Sequence, residues 1–442
     1  MSIYIKRKKK HITVSYRWVP FVGISTYVLL TLALCLWGPW EYPGFNKLLV
    51  STYIICFLFI TWIGMLIGSA YKPKQLNNNE NVNRLVVKYT RRLIYIVFVI
   101  KSLLILSCIK KYGSIEIGNL MESMAMSYTR MNAGELADSN FFRQMDTFMT
   151  FLYISTTVIG FFIWEKLKFK SRLILIINIL LTIIYNIFYL GIQKIIGDTI
   201  IYFCSIFIVK GIIKNKEKFK IKTIVTLFIV VMIAFFMFSF IIAGRKEYWG
   251  SSFKTVGSNG ATLNLNHPLL LIIPESLRLQ VGSFLVYPTM GYYGLSLCLQ
   301  LPFKWTYGLG SALGIKSMLD QIIPGIPNVM NDTYLIRMQN YYGIDAFGDW
   351  HTIFPWLASD MTFIGALVYM GIIGYIYMRC WKQVVLYKNP ISIVLLTLLN
   401  IQYVYIVTNN QLFHTRGDAM ATIVIFLLWL IFNNRLNFKD DD

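Results

Sequence analysis

The sequence predicts an all-α polytopic integral membrane protein, with about ten transmembrane helices and one large extracytoplasmic loop. Three observations carry that prediction. The 442-residue chain is 56% hydrophobic and only 14% charged, against about 25% charged residues in ordinary globular proteins. Its mean hydropathy is +0.57, so the shortage of charge is spread over many segments. Ten runs approach the roughly 20 apolar residues that a helix needs to cross the hydrocarbon core. Together these observations exclude a disordered chain, a secreted disulfide scaffold and a single-span receptor.

The runs are 18–37, 48–70, 93–109, 147–165, 173–190, 198–213, 223–243, 355–378, 390–408 and 419–434. Lys6 to Lys10 and the first run resemble a signal peptide in outline, but no small-residue cleavage site follows, so the segment reads as an anchor. With the N-terminus in the cytoplasm, 27 of the 42 Lys and Arg fall on the inner side, 14 outside and one, Lys101, within a span. Most of the outer ones sit in two long loops, which the positive-inside rule counts weakly. Both termini are therefore expected in the cytoplasm. The net charge of +21 is a topology signal of this kind, because the basic residues line successive short loops and form no continuous groove for nucleic acid. Five of the six cysteines lie in or beside apolar runs with no C-x-x-C, and all six are read as buried thiols.

Residues 110–146 form the first long loop and 244–354 the second, which divides the chain into an N-terminal bundle (1–243), a loop region and C-terminal spans (355–442). The second loop has 111 residues with seven Lys/Arg, six Asp/Glu, two histidines and sixteen aromatics, more than a tether needs. Its stretch from Pro268 to Leu301 is broken by Pro274, Gly282, Pro288 and Gly291, which predicts amphipathic or half-inserted helices against the bundle.

The polar residues cluster at the outer ends of the spans. Asp345, Asp349 and His351 stand just before the eighth run. An imidazole there suits a general base, since its ordinary pKa lies near 6.5; the plain alternative is a solvated interfacial loop. Their spacing matches no strong metal motif, and no metal or other cofactor is expected. Arg245 opens the loop beside Tyr248 and Trp249, Arg278 interrupts an apolar stretch with Glu275 as its nearest acid, and Arg337 lies further on. Each guanidinium fork fits phosphate oxygens, so these are candidate contacts to an anionic lipid-linked group, or else interfacial charges. Between the ninth and tenth runs, His414 is a second candidate base and Arg416 another candidate phosphate contact, both more readily structural. Lys101 reads as a paired or snorkelling side chain. The chain has no P-loop, no H-E-x-x-H and no G-x-S-x-G. Catalysis at the outer face excludes nucleotide-sugar donors and ATP.

Three segments resemble a known family, the bacterial oligosaccharide repeat-unit polymerases of Wzy type. They are Ile242 to Arg245, Tyr287 to Gly291 running on to Tyr307 to Ser311, and His351 to Gly365, where Met361-Thr362 replaces the usual aromatic-Gly after the aspartate. The related O-antigen ligases share the plan of many spans around one large outer loop. The resemblance implies a GT-C-like, metal-independent transferase that joins undecaprenyl diphosphate-linked oligosaccharides. One lipid-linked chain is the donor, with pyrophosphate as leaving group, and a second is the acceptor, so the bilayer is part of the site. It also implies a partner protein that controls chain length, and it makes Arg245 and Arg278 the diphosphate clamp and His351 the base. Asp349 then orients His351, Arg337 and Arg416 are further diphosphate contacts, and Tyr248, Tyr292, Tyr293, Tyr334 and Trp350 offer faces for sugar rings, as do Trp305, Tyr341 and Tyr342. Two alternatives share the hydropathy plan: a ligase, and a flippase or other transporter of lipid-linked glycans. Transporters more often show internal repeats and midplane breaks with short loops.

Overall fold

The computed structural model describes residues 13–71, 80–115, 119–132, 141–192, 194–214, 218–220, 225, 226, 229, 242, 246, 250, 253–257 and 260–432. Most of it is helix. The long helices are α1 (Val19–Trp37), α2 (Lys47–Ala70), α3 (Glu80–Tyr112), α4 (Leu120–Asn132), α5 (Phe141–Phe162), α6 (Phe169–Ile184) and α7 (Lys194–Lys214). The loop region contributes the short helices α8 (Pro268–Leu271), α9 (Glu275–Phe284), α10 (Met290–Cys298), α11 (Leu313–Ile322) and α12 (Tyr334–Tyr342). The C-terminal part adds α13 (Ile353–Tyr387), α14 (Pro390–Val404), α15 (Gln411–His414) and α16 (Arg416–Phe432). Two small antiparallel ladders pair Thr13–Ser15 with Lys218–Lys220 and Trp40–Glu41 with Thr262–Leu263.

Among the described residues, eight helices are long and apolar enough to cross a membrane. They correspond to predicted runs one to six, eight and nine. The seventh run lies almost wholly outside the described residues, and α16, the tenth, has 17 residues. The helices of Pro268 to Leu301 have four, ten and nine residues, each far short of a span. Long helices present Leu29, Leu30, Ile55, Phe59, Leu103, Leu106 and Leu180 outward. Water would penalise that surface and hydrocarbon would not, so this is an all-α membrane protein.

The axis of the bundle is α2 against α13. Gly64 of α2 approaches α13 so closely that a Cβ there would stand 1.9 Å from the Gly371 carbonyl oxygen, the small-residue contact that membrane helices use where no hydrophobic drive separates protein from lipid. Buried polar groups join the other helices. Asn178 Nδ2 donates to the Ile94 carbonyl at 2.9 Å, and Asn400 Nδ2 donates to Ser205 Oγ at 2.8 Å. Helix starts are capped locally: Asn46 Oδ1 accepts from Leu49 N–H at 3.0 Å, and Asn389 Oδ1 accepts from Ser392 N–H at 2.9 Å ahead of Pro390.

One expectation changes here and another narrows to one of its alternatives. Cys35, Cys298 and Cys380 are buried, but Cys108 and Cys204 are half-buried and Cys56 is exposed, because Cys56 lies beside Ile55 on the outward face of α2. Lys101 is a buried pair: its Nζ lies 2.9 Å from Asp146 Oδ1 and 3.7 Å from the centre of the Tyr153 ring.

Candidate functional site

A cavity of about 400 Å³ opens where α5, α7 and α16 begin and α3 and α6 finish, with Gly314 and Ser317 of the loop helix α11 in its wall. Glycine lets α11 settle on the turn ahead of α16, since a Cβ at Gly314 would stand 2.2 Å from the Thr415 carbonyl oxygen. Across that contact, Arg416 Nε donates to Ser317 Oγ at 2.8 Å.

The charges meet at the starts of α7 and α16. Lys194 pairs with Asp418, and its Nζ lies 3.5 Å from Asp198 one helical turn further along α7. The Thr415 hydroxyl donates to Asp418 Oδ2 at 2.7 Å. Lys101 and Asp146 also line the cavity. Three cations thus face three carboxylates, and the cavity is formally neutral. His414 is exposed at its surface but ringed by protein, and it packs edge-on to Trp356 with ring centres 6.3 Å apart. Burial by the surrounding protein, then the nearby Lys194 charge, holds its pKa down to about 4, so at neutral pH it carries a free lone pair. Among the described residues, no three His, Cys, Asp or Glu side chains gather in a metal-binding group.

Of the sequence-predicted residues, Arg416 and His414 line this cavity. His351 does not, and it is only 2% exposed. Its Nε2 lies 2.9 Å from the Asp345 carbonyl oxygen. A carbonyl only accepts, so Nε2 carries the proton and Nδ1 presents its lone pair. Glycine is required next to that nitrogen, because a Cβ at Gly294 would stand 2.6 Å from Nδ1. Burial pushes the pKa of His351 down to about 4. The ring is thus oriented by the Asp345 carbonyl, in place of the expected Asp349 carboxylate. Asp349 is half-buried, with its N–H donating to the Asp345 carbonyl at 3.3 Å. Asp345 itself accepts at Oδ1 from the Phe347 and Gly348 N–H groups at 2.9 Å, which holds its carboxyl below the ordinary range.

The arginines divide. Arg337 is buried, with Nε donating to the Asp332 carbonyl at 3.1 Å, a terminal nitrogen donating to Pro302 at 2.8 Å, and its guanidinium over the Tyr334 ring. It braces the loop through those carbonyls and does not line the cavity, where a diphosphate contact is expected of it. Arg278 is half-buried and donates from Nε to the Ile273 carbonyl at 3.0 Å, where Glu275 is the expected partner. Arg245 and Tyr248 lie outside the described residues.

Three of the aromatics expected to face sugar are core residues. Tyr292, Tyr293 and Tyr334 are 1%, 5% and 2% exposed, because they fill the contact between loop and bundle. Tyr292 bonds the Thr31 hydroxyl at 2.9 Å, Tyr293 stacks on Tyr42, and Tyr334 packs on Phe363. Trp350 is half-buried beside Tyr287. Trp305, Tyr307, Tyr341 and Tyr342 are exposed, as are Phe303 and Phe347.

Segments far apart in sequence come together next to the cavity. Asp360 accepts from the Thr306 hydroxyl and the Gly310 N–H at Oδ1, and from the Ser311 N–H at Oδ2, 2.7 Å away. That carboxylate fixes the 306–311 turn, in which Tyr307 and Gly308 take φ of 56° and 79°. Ser311 in turn accepts from Asn410 Nδ2 at 2.7 Å, and the His351 N–H donates to the Thr408 carbonyl at 2.9 Å. Sequence reasoning missed Lys194, Asp198 and Asp146. For Lys194 and Asp198 the available signal was an acid four residues after a lysine at the mouth of an apolar run, the i,i+4 spacing of a helical ion pair. Comparisons with protein-family models, curated proteins and solved structures return no match for this chain.

Proposed function

We propose that this chain polymerises undecaprenyl diphosphate-linked oligosaccharide repeat units at the outer face of a bacterial inner membrane. One observation carries the reading: a charged cavity at the end of the bundle that bears the large loop, walled by a loop helix and holding an arginine, a lysine and a neutral imidazole. Its volume of about 400 Å³ suits a diphosphate and its first sugar, within the range of small-molecule sites. Further support comes from Asp360, which ties together two of the segments that resemble repeat-unit polymerases.

In this reading the acceptor hydroxyl oxygen attacks the anomeric carbon of the donor sugar. The bond from that carbon to the diphosphate oxygen breaks, and its electron pair leaves with the diphosphate. Arg416 and Lys194 hold the charge growing there, and the hydroxyl proton passes to His414. A pKa near 4 makes His414 a weak base until an anion arrives, and the diphosphate raises its proton affinity by simple attraction.

The test is the size of lipid-linked and surface glycan after deletion of the gene, with variants restored one at a time. Single repeat units are expected to accumulate, and His414→Ala and Arg416→Ala, at normal expression, to lose about 100-fold or more in polymer. Normal polymer from His414→Ala, with loss from a well-expressed His351→Ala, would return the base to His351. Long lipid-linked chains in the deletion strain would indicate a ligase.

A second reading has its own observation. The Lys101–Asp146 and Lys194–Asp198 pairs belong to helices of spanning length, and ionisable residues in such positions often mark transport pathways. Repeat units trapped on the cytoplasmic leaflet would favour that flippase reading.

A further inference from the structure

Resting on the reading of the cavity as a diphosphate site, we infer that the Lys194–Asp418 ion pair is a latch that keeps the site closed to anions until a substrate displaces it. The reason is the cavity's own charge. Lys101, Lys194 and Arg416 are matched one for one by Asp146, Asp198 and Asp418, so an entering polyanion meets no net attraction. Lys101 is held by Asp146 at 2.9 Å, and Lys194 by both Asp418 and Asp198.

The Lys101 pair is deep, at 2% side-chain exposure for the lysine, whereas Lys194 and Asp418 are each 21% exposed. Lys194 is therefore the cation a ligand in the cavity can reach, and Asp418 is the group it must displace. Arg416, the other cation on the cavity wall, is held by Ser317 at 2.8 Å. The latch has a hinge at hand. The Thr415 hydroxyl donates to Asp418 from the turn between α15 and α16, the same turn whose carbonyl lies against Gly314 of α11. Displacing Asp418 therefore acts on the contact by which the loop helix covers the cavity.

The consequence runs against intuition for a residue in a site: removing the acid strengthens binding. The experiment is calorimetric titration of inorganic pyrophosphate into the purified full-length chain in lipid nanodiscs. Asp418→Asn is expected to tighten Kd about tenfold, the scale of one charge-assisted hydrogen bond, because asparagine keeps the acceptor for Thr415 and loses the charge. Lys194→Gln is expected to weaken binding by a similar factor. In Lys194→Gln with Asp418→Asn, the gain is expected to vanish. Asp198→Asn gives a smaller gain, and serves if Asp418→Asn does not fold.

Unchanged pyrophosphate affinity in Asp418→Asn overturns the latch. So does an equal gain in the absence of Lys194, which would reduce Asp418 to general repulsion, and so does failure of every variant to bind pyrophosphate. The polymerase reading fails separately, on the glycan sizes of the deletion strain. The latch stands if pyrophosphate binding follows the expected pattern while those sizes are normal.

Discussion

At the scale of single residues, His351 shows how burial changes a role read from sequence. An imidazole beside two aspartates invites a general base, yet in the fold its Nε2 is occupied by the Asp345 carbonyl and its Nδ1 faces Gly294. Its pKa, lowered by burial from 6.5 to about 4, makes a stability prediction. Below about pH 6.5 the unfolded imidazole takes up a proton that the folded one refuses until about pH 4. Stability is therefore complete above that window and is lost as pH falls through it, by about 3 kcal/mol at 1.36 kcal/mol per pKa unit. Thermal unfolding in detergent at pH 7 and pH 5 should show the loss, and His351→Asn should flatten it. An equally steep loss in the variant would assign the titration elsewhere. The neighbourhood is demanding in another way. His351 Nδ1, Thr352 Oγ1, Trp356 Nε1, Asn409 Oδ1, Asn410 Oδ1 and Gln411 Nε2 are all buried polar atoms without a protein partner. Acceptors and donors are mixed and none is charged, the pattern that buried water satisfies.

At the scale of elements, α13 carries the feature with the clearest energetic consequence. Its 35 residues are two helices meeting at Thr362, whose φ of 66° and ψ of 167° fall in a region essentially confined to glycine. A β-branched residue there costs about 1–3 kcal/mol. The side chain returns part of that cost, because Thr362 Oγ1 accepts from the Gly365 N–H at 3.2 Å and so caps the second helix. Replacing a threonine cap by glycine loses only a few tenths of a kcal/mol. Thr362→Gly should therefore stabilise the protein by about 1 kcal/mol, and Thr362→Val, which keeps the strain and loses the cap, should destabilise it. Unfolding midpoints of the two variants check both signs, and a destabilised glycine variant would mean that the strain is relieved elsewhere. The same position was legible in sequence as a departure, since Met361-Thr362 stands where polymerases of repeat units have aromatic-Gly. Its conformation was not legible, because a Thr inside an apolar run reads as uninterrupted helix.

At the scale of the whole molecule, the loop and the bundle are one body at the cavity. Asp360 reaches the 306–311 turn, Tyr292 reaches Thr31, and Gly314 rests on Thr415. If the basic loops lie in the cytoplasm, this end faces outward and both termini face inward. A C-terminal fluorescent-protein fusion should then be bright and a C-terminal alkaline-phosphatase fusion inactive. The opposite pair of results would invert the topology and remove outer-face transfer.

The sequence by itself determined the membrane class, the six helices before the seventh run and the two after the loop, because transfer of apolar side chains into hydrocarbon depends on composition over about 20 residues and little on distant partners. It also marked His414 and Arg416 as polar residues at a span mouth. Only the tertiary structure decided that these two, and not His351, line the cavity, that Arg337 and Tyr292 are buried supports, and that Lys194 and Asp418, 224 residues apart, form one pair. Burial and charge pairing are sums over neighbours that the chain brings together only by folding, and hydropathy along the sequence does not contain them.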